Sequence, residues 1–169
     1  MFTAAVITVS DKCFDGKSED LSGPAVAEML TESGYRVTHT ITVPDEQDMI
    51  ESELVRCVDE LQIALIVTTG GTGFTPRDVT PEATIAVCNK LAPGIGEAMR
   101  SESMKITERA VLARQQAGIR GESLIINVPG SPKAAKENLA AVLPSLEHGI
   151  KKIRGVKESC IASQATYTV

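Results

Sequence analysis

Tryptophan is missing from the sequence, and with two Tyr and three Phe the aromatic side chains make up 3% of it. That leaves little surface for stacking bases. Basic excess is missing too: 17 Lys and Arg stand against 22 Asp and Glu, a formal net charge of −5, and no stretch gathers the cations into a stripe. Proteins that live on nucleic-acid phosphates usually show a basic balance or such a stripe, so no nucleic-acid partner is expected. The four cysteines, Cys13, Cys57, Cys88 and Cys160, lie far apart, and neither His39 nor His148 stands beside one at metal-ligand spacing. This argues against a zinc module and for reduced thiols. No apolar run approaches the ~20 residues that span a bilayer. The opening Met1-Phe2-Thr3-Ala4-Ala5-Val6-Ile7 has no basic segment before its first acid, Asp11, so it does not read as a signal peptide. A cytoplasmic protein without a membrane partner is the expectation.

What is present is a chain of 169 residues with 43% hydrophobic and 23% charged side chains, ordinary for one globular domain. Three β-branched-rich runs, at 4–9, 64–69 and 124–128, are almost continuously apolar, the pattern of strands buried on both faces of a parallel sheet. A fourth, at 36–43, alternates Val37, His39, Ile41 and Val43 with polar residues and belongs nearer an edge. Helical patterns separate these strands. One opens at Ser22-Gly23-Pro24 and stops at Gly34, another spans 45–60, and others open at Thr80-Pro81, Pro93 and Ser131-Pro132. Ser or Thr before Pro places an N-cap oxygen beside a residue whose missing N–H costs nothing at the first helical position. Gly118-Ile119-Arg120-Gly121 reads as a turn joining 114–117 to the strand at 124–128, a small antiparallel addition. The alternation predicts a three-layer α/β/α fold, with a mostly parallel sheet and an antiparallel edge addition. Residues 1–155 form the domain, and 156–169, without periodicity, form a C-terminal tail.

The chemistry concentrates where strands end. Leu65-Ile66-Val67-Thr68-Thr69 runs into Gly70-Gly71-Thr72-Gly73, followed by Phe74-Thr75-Pro76-Arg77-Asp78-Val79-Thr80-Pro81-Glu82. Glycines there permit positive φ and let backbone N–H groups approach a ligand, and ligands of open α/β sheets bind beyond the carboxyl ends of the strands. The loop has neither the Gly-Lys-Ser/Thr ending of a P-loop nor the dinucleotide spacing. Alone, such a turn is often only a tight connection. Here Arg77 and Asp78 stand between the glycines and a helix N-terminus, where backbone donors and the helix dipole favour anions. A second strand end, Pro129-Gly130-Ser131-Pro132-Lys133, repeats the logic. Ser10 and Asp11, and also Asp45, follow two more strand ends; Asp45 reads as the N-cap of its helix. His39 in a strand and His148 near a helix end read as structural. No nucleophile elbow is present, which disfavours acyl transfer. A reaction between two phosphates needs no histidine base, because the attacking oxygen is already ionised; it needs the repulsion between anions removed.

The run Thr-Gly-Gly-Thr-Gly-Phe-Thr-Pro-Arg-Asp-Val-Thr-Pro-Glu-Ala-Thr at 69–84 resembles the signature of the molybdopterin adenylyltransferases, the MogA type and the amino-terminal domain of gephyrin. Val9-Ser10-Asp11, Ser22-Gly23-Pro24, Pro44-Asp45-Glu46 and residues 117–133 are similar to that family as well, over roughly residues 3–154. A MoaB-like sibling keeps the glycine turn but departs from the Arg-Asp-Val-Thr-Pro-Glu-Ala-Thr segment, which is intact here. The resemblance implies a trimeric α/β protein of the molybdopterin-binding fold, with ATP and molybdopterin as substrates and Mg²⁺ as cofactor. It implies transfer of AMP to the terminal phosphate of molybdopterin, with the product passed to a downstream molybdenum-insertion protein. It assigns catalysis to Asp45 and Asp78, both as metal ligands. It places Ser10, Asp11, Thr69, Gly70, Gly71, Thr72, Gly73, Pro129, Gly130, Ser131 and Pro132 at the ligand. Arg100, Ser103 and Ser123 are candidates for the pterin by proximity in the pattern. The competing reading is a non-catalytic or MoaB-like molybdopterin-binding trimer.

Overall fold

A computed structural model describes residues 1–156. The chain runs β1 (Thr3–Val9), a short α1 (Asp11–Phe14), α2 (Ser22–Glu32), β2 (Arg36–Val43), α3 (Gln47–Val55), β3 (Leu65–Thr69), α4 (Thr80–Val87), β4 (Lys90–Leu91), α5 (Pro93–Met104), β5 (Ala117–Arg120), β6 (Ser123–Val128) and α6 (Pro132–Ile153). A π-helical turn at Arg56–Glu60 extends α3, and a 3-10 turn at Glu108–Leu112 follows α5. The expected tail lies, beyond Val156, outside the described residues, and so does Cys160.

The strand order is β2-β1-β3-β6-β5-β4. β2, β1, β3 and β6 are mutually parallel, while β5 and β4 each run antiparallel to the strand before them in that order. The expected antiparallel addition is therefore present, but its turn is not where the sequence places it. Gly118, Ile119 and Arg120 lie in β5, and Gly121 with φ +54° turns the chain instead. Pairing of Ile119 with both Leu124 and Lys90 outweighs the local turn signal at Gly118.

Strand alternation divides the core in two. Val6, Leu65, Val67, Leu124 and Ile126 point to one face, where they meet Val26 and Leu30 of α2, Met99 of α5 and Leu139 of α6. Ala5, Ile7, Ile66 and Ile125 point to the other, against Ile50 and Leu54 of α3 and Ala83 of α4. The inner strands are buried along both faces because each face carries helices. β2, at the edge, alternates exposed and half-buried residues.

The register aligns the strand ends. Val9 pairs with Val43, Thr8 with Thr69, and Thr69 with Val128. Residues 10, 44–45, 70 and 129 thus leave the sheet at one edge. The chain moves outward from β1 to β2 on one side, and β3 with β6 lies on the other, so the strand order reverses between β1 and β3. That switch point is where an open α/β sheet binds its ligand.

Candidate phosphate-binding site at the strand ends

β3 ends in two glycines held at positive φ, +105° at Gly70 and +63° at Gly71. A Cβ on Gly70 would run into the Val9 carbonyl, and one on Gly71 into the Thr80 hydroxyl. The Gly70 N–H is engaged by Val128 O at 3.1 Å. Among the described residues, no protein acceptor takes the N–H groups of Gly71, Thr72 or Gly73. Successive free amides of this kind form an anion-binding concavity.

Thr80, buried at the first turn of α4, donates its hydroxyl to Gly70 O at 2.9 Å and its N–H to Gly71 O at 3.1 Å. Its side chain ties the loop closed and does not cap α4, whose N-cap is Val79. Ser131 does occupy the N-cap position of α6, yet makes no side-chain cap bond. Asp45 is not a cap either: α3 starts at Gln47 behind Glu46. Its carboxylate has another partner.

That partner is Asp11. The Asp11 N–H donates to Asp45 Oδ2 at 2.8 Å, and the Asp45 N–H donates to Asp11 Oδ1 at 3.0 Å. The ends of β1 and β2 are stapled by two acids, each accepting the other's backbone N–H. Ser10 caps α1, accepting from Cys13 N–H at 3.3 Å. Arg77, which the sequence places between the glycines and a helix start, forks onto both oxygens of Asp11 at 3.0 Å and reaches Glu46 at 2.7 Å. These contacts hold the Asp11 carboxyl below its usual range. Asp45 goes the other way: burial first, and then the negative charges of Asp11 and Asp78, push its carboxyl above that range, against the opposing Asp11 N–H.

Asp78 accepts from the Thr75 N–H at 2.7 Å, and its own N–H donates to Thr75 O at 3.0 Å, closing a tight turn. A Cβ on Gly73 would sit 3.0 Å from Asp78 Oδ2, and one on Gly71 3.2 Å from Asp45 Oδ1. Glycine at both positions leaves the two carboxylates open towards the loop.

A cleft of about 370 Å³ gathers Ser10, Asp45, Thr69, Gly70, Gly71 and Asp78, together with Gly130 and Pro132. Thr69 donates to Pro129 O at 2.8 Å, and a Cβ on Gly130 would lie 3.2 Å from the Gly70 Cα, so the second loop packs directly on the first. Asp11, Thr72, Gly73, Pro129 and Ser131 stand beside the cleft without lining it.

Asp20 also lines it, a residue that the sequence alone does not single out. It accepts from Thr8 at 2.6 Å, from Ser22 at 3.3 Å and from the Gly23 N–H at 2.9 Å. An acid three residues before a Gly-Pro helix start is the available signal. The pterin candidates fare worse. Ser123 sits at the opposite edge of the sheet, donating to Ile63 O at 2.6 Å. Ser103 accepts from Asn138, and Arg100 donates to Gln115 O at 3.1 Å.

Two other features compete for attention. An apolar groove of about 400 Å³ between α5 and α6, lined by Ala92, Ile95, Leu124, Val142 and Leu146, offers little for a phosphate. His39, Glu53 and Cys57 bring ligand atoms within 4.8 Å of one another. Glu53 there already accepts from Arg56 at 3.0 Å and meets His39 at 2.7 Å. Burial pushes the Cys57 thiol up to about 12, and the group is a satisfied core network.

Fold and site together define a class: a three-layer α/β/α protein with a glycine loop of free amides and two carboxylates beyond the strand ends of its sheet. Residues 5–148 match the family described as a probable molybdopterin binding domain, and the chain belongs to it. It is 49% identical over 154 residues to the molybdopterin adenylyltransferase of Helicobacter pylori strain J99, covering 89% of this chain and 86% of that protein. It is 43% identical over 139 residues to the molybdopterin adenylyltransferase of Escherichia coli K12, covering 81% and 71%. The crystal structure of the molybdopterin biosynthesis enzyme MoaB from Thermus thermophilus is 44% identical and superimposes with a TM-score of 0.87, covering 92% of this chain and 98% of that one.

Proposed function

We propose that this protein is a molybdopterin adenylyltransferase of molybdenum cofactor biosynthesis. An ionised oxygen of the terminal phosphate of molybdopterin attacks the α-phosphorus of ATP. The bond to the bridging oxygen breaks, and pyrophosphate leaves. The observation that carries the reading is the convergence of Asp45, Asp78 and the Gly70–Gly71 turn on one cleft.

Two anions must meet there, so the protein's task is to hold them in line and offset their charge. The amides of residues 71–73 donate to phosphate oxygens. Asp45 and Asp78 orient the reacting groups from opposite sides of the glycine turn. Arg77 pairs with Asp11, and Asp20 already accepts from Thr8, Ser22 and the Gly23 N–H, so Asp45 and Asp78 are the carboxylates we assign to a cation. Two carboxylates suit Mg²⁺, an ion that keeps several waters and takes one or two carboxylates with substrate phosphates. Bound there, Mg²⁺ would supply charge neutralisation between the phosphates.

The resemblance further implies a homotrimer and a downstream molybdenum-insertion partner. Ile106, Val111 and Leu112, 59%, 61% and 49% exposed, supply apolar surface for a subunit contact, and sedimentation equilibrium tests it. No helix among the described residues is long and apolar enough to cross a membrane; the cytoplasm is the compartment we propose.

The test is to mix protein, molybdopterin, ATP and Mg²⁺ and to measure pyrophosphate and adenylylated molybdopterin. Both are expected, and both are expected to fall on chelation. Molybdopterin binding without turnover would favour the non-catalytic, MoaB-like module. ATP consumption without molybdopterin would indicate a hydrolase.

A further inference from the structure

We propose that Arg114 is a positioning residue for adenylyl transfer, setting the direction of the Asp78 carboxylate through the backbone of the glycine loop. This rests on the adenylyltransferase reading for its kinetic consequence and on geometry alone for its structural one.

Arg114 is far from the loop in sequence, and the antiparallel addition is what brings it near. Because β5 runs against β6, the residues before β5 lie at the edge where β6 ends. Gln116 confirms the placement: its carbonyl accepts from the Asn127 N–H at 2.9 Å, and its own N–H donates to Asn127 Oδ1 at 3.1 Å. Arg100 of α5 holds the next carbonyl, Gln115 O.

From this anchored segment the Arg114 N–H donates to Thr72 O at 3.0 Å. The guanidinium does the rest. Nε donates to Gly73 O at 2.7 Å, Nη2 donates to Asp78 O at 2.7 Å, and Nη1 pairs with Glu82 in the first turn of α4. All three nitrogens of the planar fork are used, on three residues in all, with Nη2 also reaching Glu82 at 3.4 Å. A lysine ammonium, a single point of charge on a flexible stem, cannot span three diverging acceptors.

Asp78 is thereby held at both ends of its backbone, its N–H on Thr75 O and its carbonyl on Arg114. With the backbone so placed, the Thr75 N–H reaches Asp78 Oδ2 at 2.7 Å and selects the direction in which the carboxylate points. The Arg114 guanidinium is taken up by Gly73 O, Asp78 O and Glu82, so the effect assigned to it passes through Asp78.

The experiment compares Arg114→Met, Arg114→Lys, Asp78→Ala and the double variant Asp78→Ala/Arg114→Met in the full chain. In Arg114→Met, kcat for adenylyl transfer is expected to fall about 100-fold, the size of an ångström-scale misplacement, with the KM for ATP little changed. Arg114→Lys should not rescue it. In the Asp78→Ala background the Arg114 change should add almost nothing, whereas an independent structural role would multiply. Amide hydrogen exchange at the bonded amides of Thr75, Asp78 and Thr80 should rise in Arg114→Met while β1, β3 and β6 stay protected.

Unchanged exchange in the loop overturns the proposal whatever the rates do. So does full rescue by lysine, or a multiplicative double variant. Loosened exchange in a protein whose unmodified form makes no adenylylated product leaves the positioning intact and overturns the adenylyltransferase reading instead. If Arg114→Met does not fold, Glu82→Gln, which frees the same guanidinium from outside the cleft, should show the same pattern more weakly.

Discussion

Arg77 and Arg114 grip the same loop from opposite sides and do different work. Arg77 belongs to the loop and reaches outward to the carboxylates of Asp11 and Glu46, with its side chain 51% exposed. Arg114 comes from outside and reaches inward to two carbonyl oxygens and Glu82, with its side chain 32% exposed. Ion pairs in water are screened and contribute little to stability. Carbonyls that lose a half-buried donor are left poorly satisfied, which costs more. Arg77 therefore sets the charge of the site, deciding which acid is neutralised, and Arg114 sets its shape.

The comparison breaks if Asp78, the acid that Arg114 aims, is not needed. Asp78→Asn is expected to lower kcat/KM about 100- to 1,000-fold, the effect of removing one group that acts on developing charge. Stability should hardly move, because Asn retains an oxygen to accept the Thr75 N–H. Turnover assays beside a thermal melt decide this, and normal turnover would remove Asp78 from the mechanism.

Gly71→Ala attacks the shape of the loop directly. The residue has φ +63°, and the new Cβ would collide with the Thr80 hydroxyl and crowd Asp45. Backbone strain alone costs about 1–3 kcal/mol. Gly34→Ala is the control, with φ +86° and open space around its Cβ. Urea midpoints should show a larger loss for Gly71→Ala, which should also lose turnover while the control keeps it.

The sheet and its busiest edge are legible in the sequence for a physical reason. Residues 4–9, 64–69 and 124–128 are buried on both faces, so their apolar runs have no competing explanation, and glycines at 70, 71 and 73 mark where the backbone must turn sharply. Asp45 is legible as a residue that matters but not in its local role. A short polar side chain after a strand looks like a cap, and only the parallel pairing of β1 with β2 shows that its acceptor serves Asp11. Arg77 is legible only by its place before a helix start, because nothing local reveals that Asp11 and Glu46 arrive beside it. Arg114 is invisible for the same reason, its partner Gly73 lying 41 residues away, while Asp20 shows only its local place before Gly23-Pro24 and not its bond from Thr8, 12 residues away. Turn chemistry also misplaces the hairpin, since Gly118 joins a strand for the sake of its neighbours' pairing.

Asp45→Asn sharpens the charge side of the comparison. In the folded protein Asp45 binds a proton more readily than in the unfolded chain. Stability therefore falls as pH climbs from the ordinary value of 3.8 through the raised one, and at neutral pH the full penalty is present. Asparagine removes that penalty. The variant should be more stable at pH 7, by a few degrees in Tm if the relief is about 1 kcal/mol, and slower in turnover. For the unmodified protein, the acid limb of the rate should lie above the range where an ordinary aspartate titrates. Loss of stability in Asp45→Asn would show that its bond to the Asp11 N–H outweighs the repulsion.

Arg77→Gln should have the smallest effect on the fold and the most specific one on pH. Its ion pairs are exposed, so the change in stability at neutral pH should be small and shrink further in salt. Asp11 is another matter. Its carboxyl is held down first by the Arg77 hydrogen bonds, so what it contributes is present above the ordinary carboxylate value and disappears as pH falls through the lowered one. Without Arg77 that contribution is smaller, and its loss is complete at higher pH. Asp11 then also keeps an unopposed charge facing Asp45, and Asp45 is pushed further up. The acid limb of turnover should consequently move to higher pH in Arg77→Gln and stay in place in Arg114→Lys, even though the lysine variant is the slower enzyme. Equal shifts in both would mean that the two arginines do the same work.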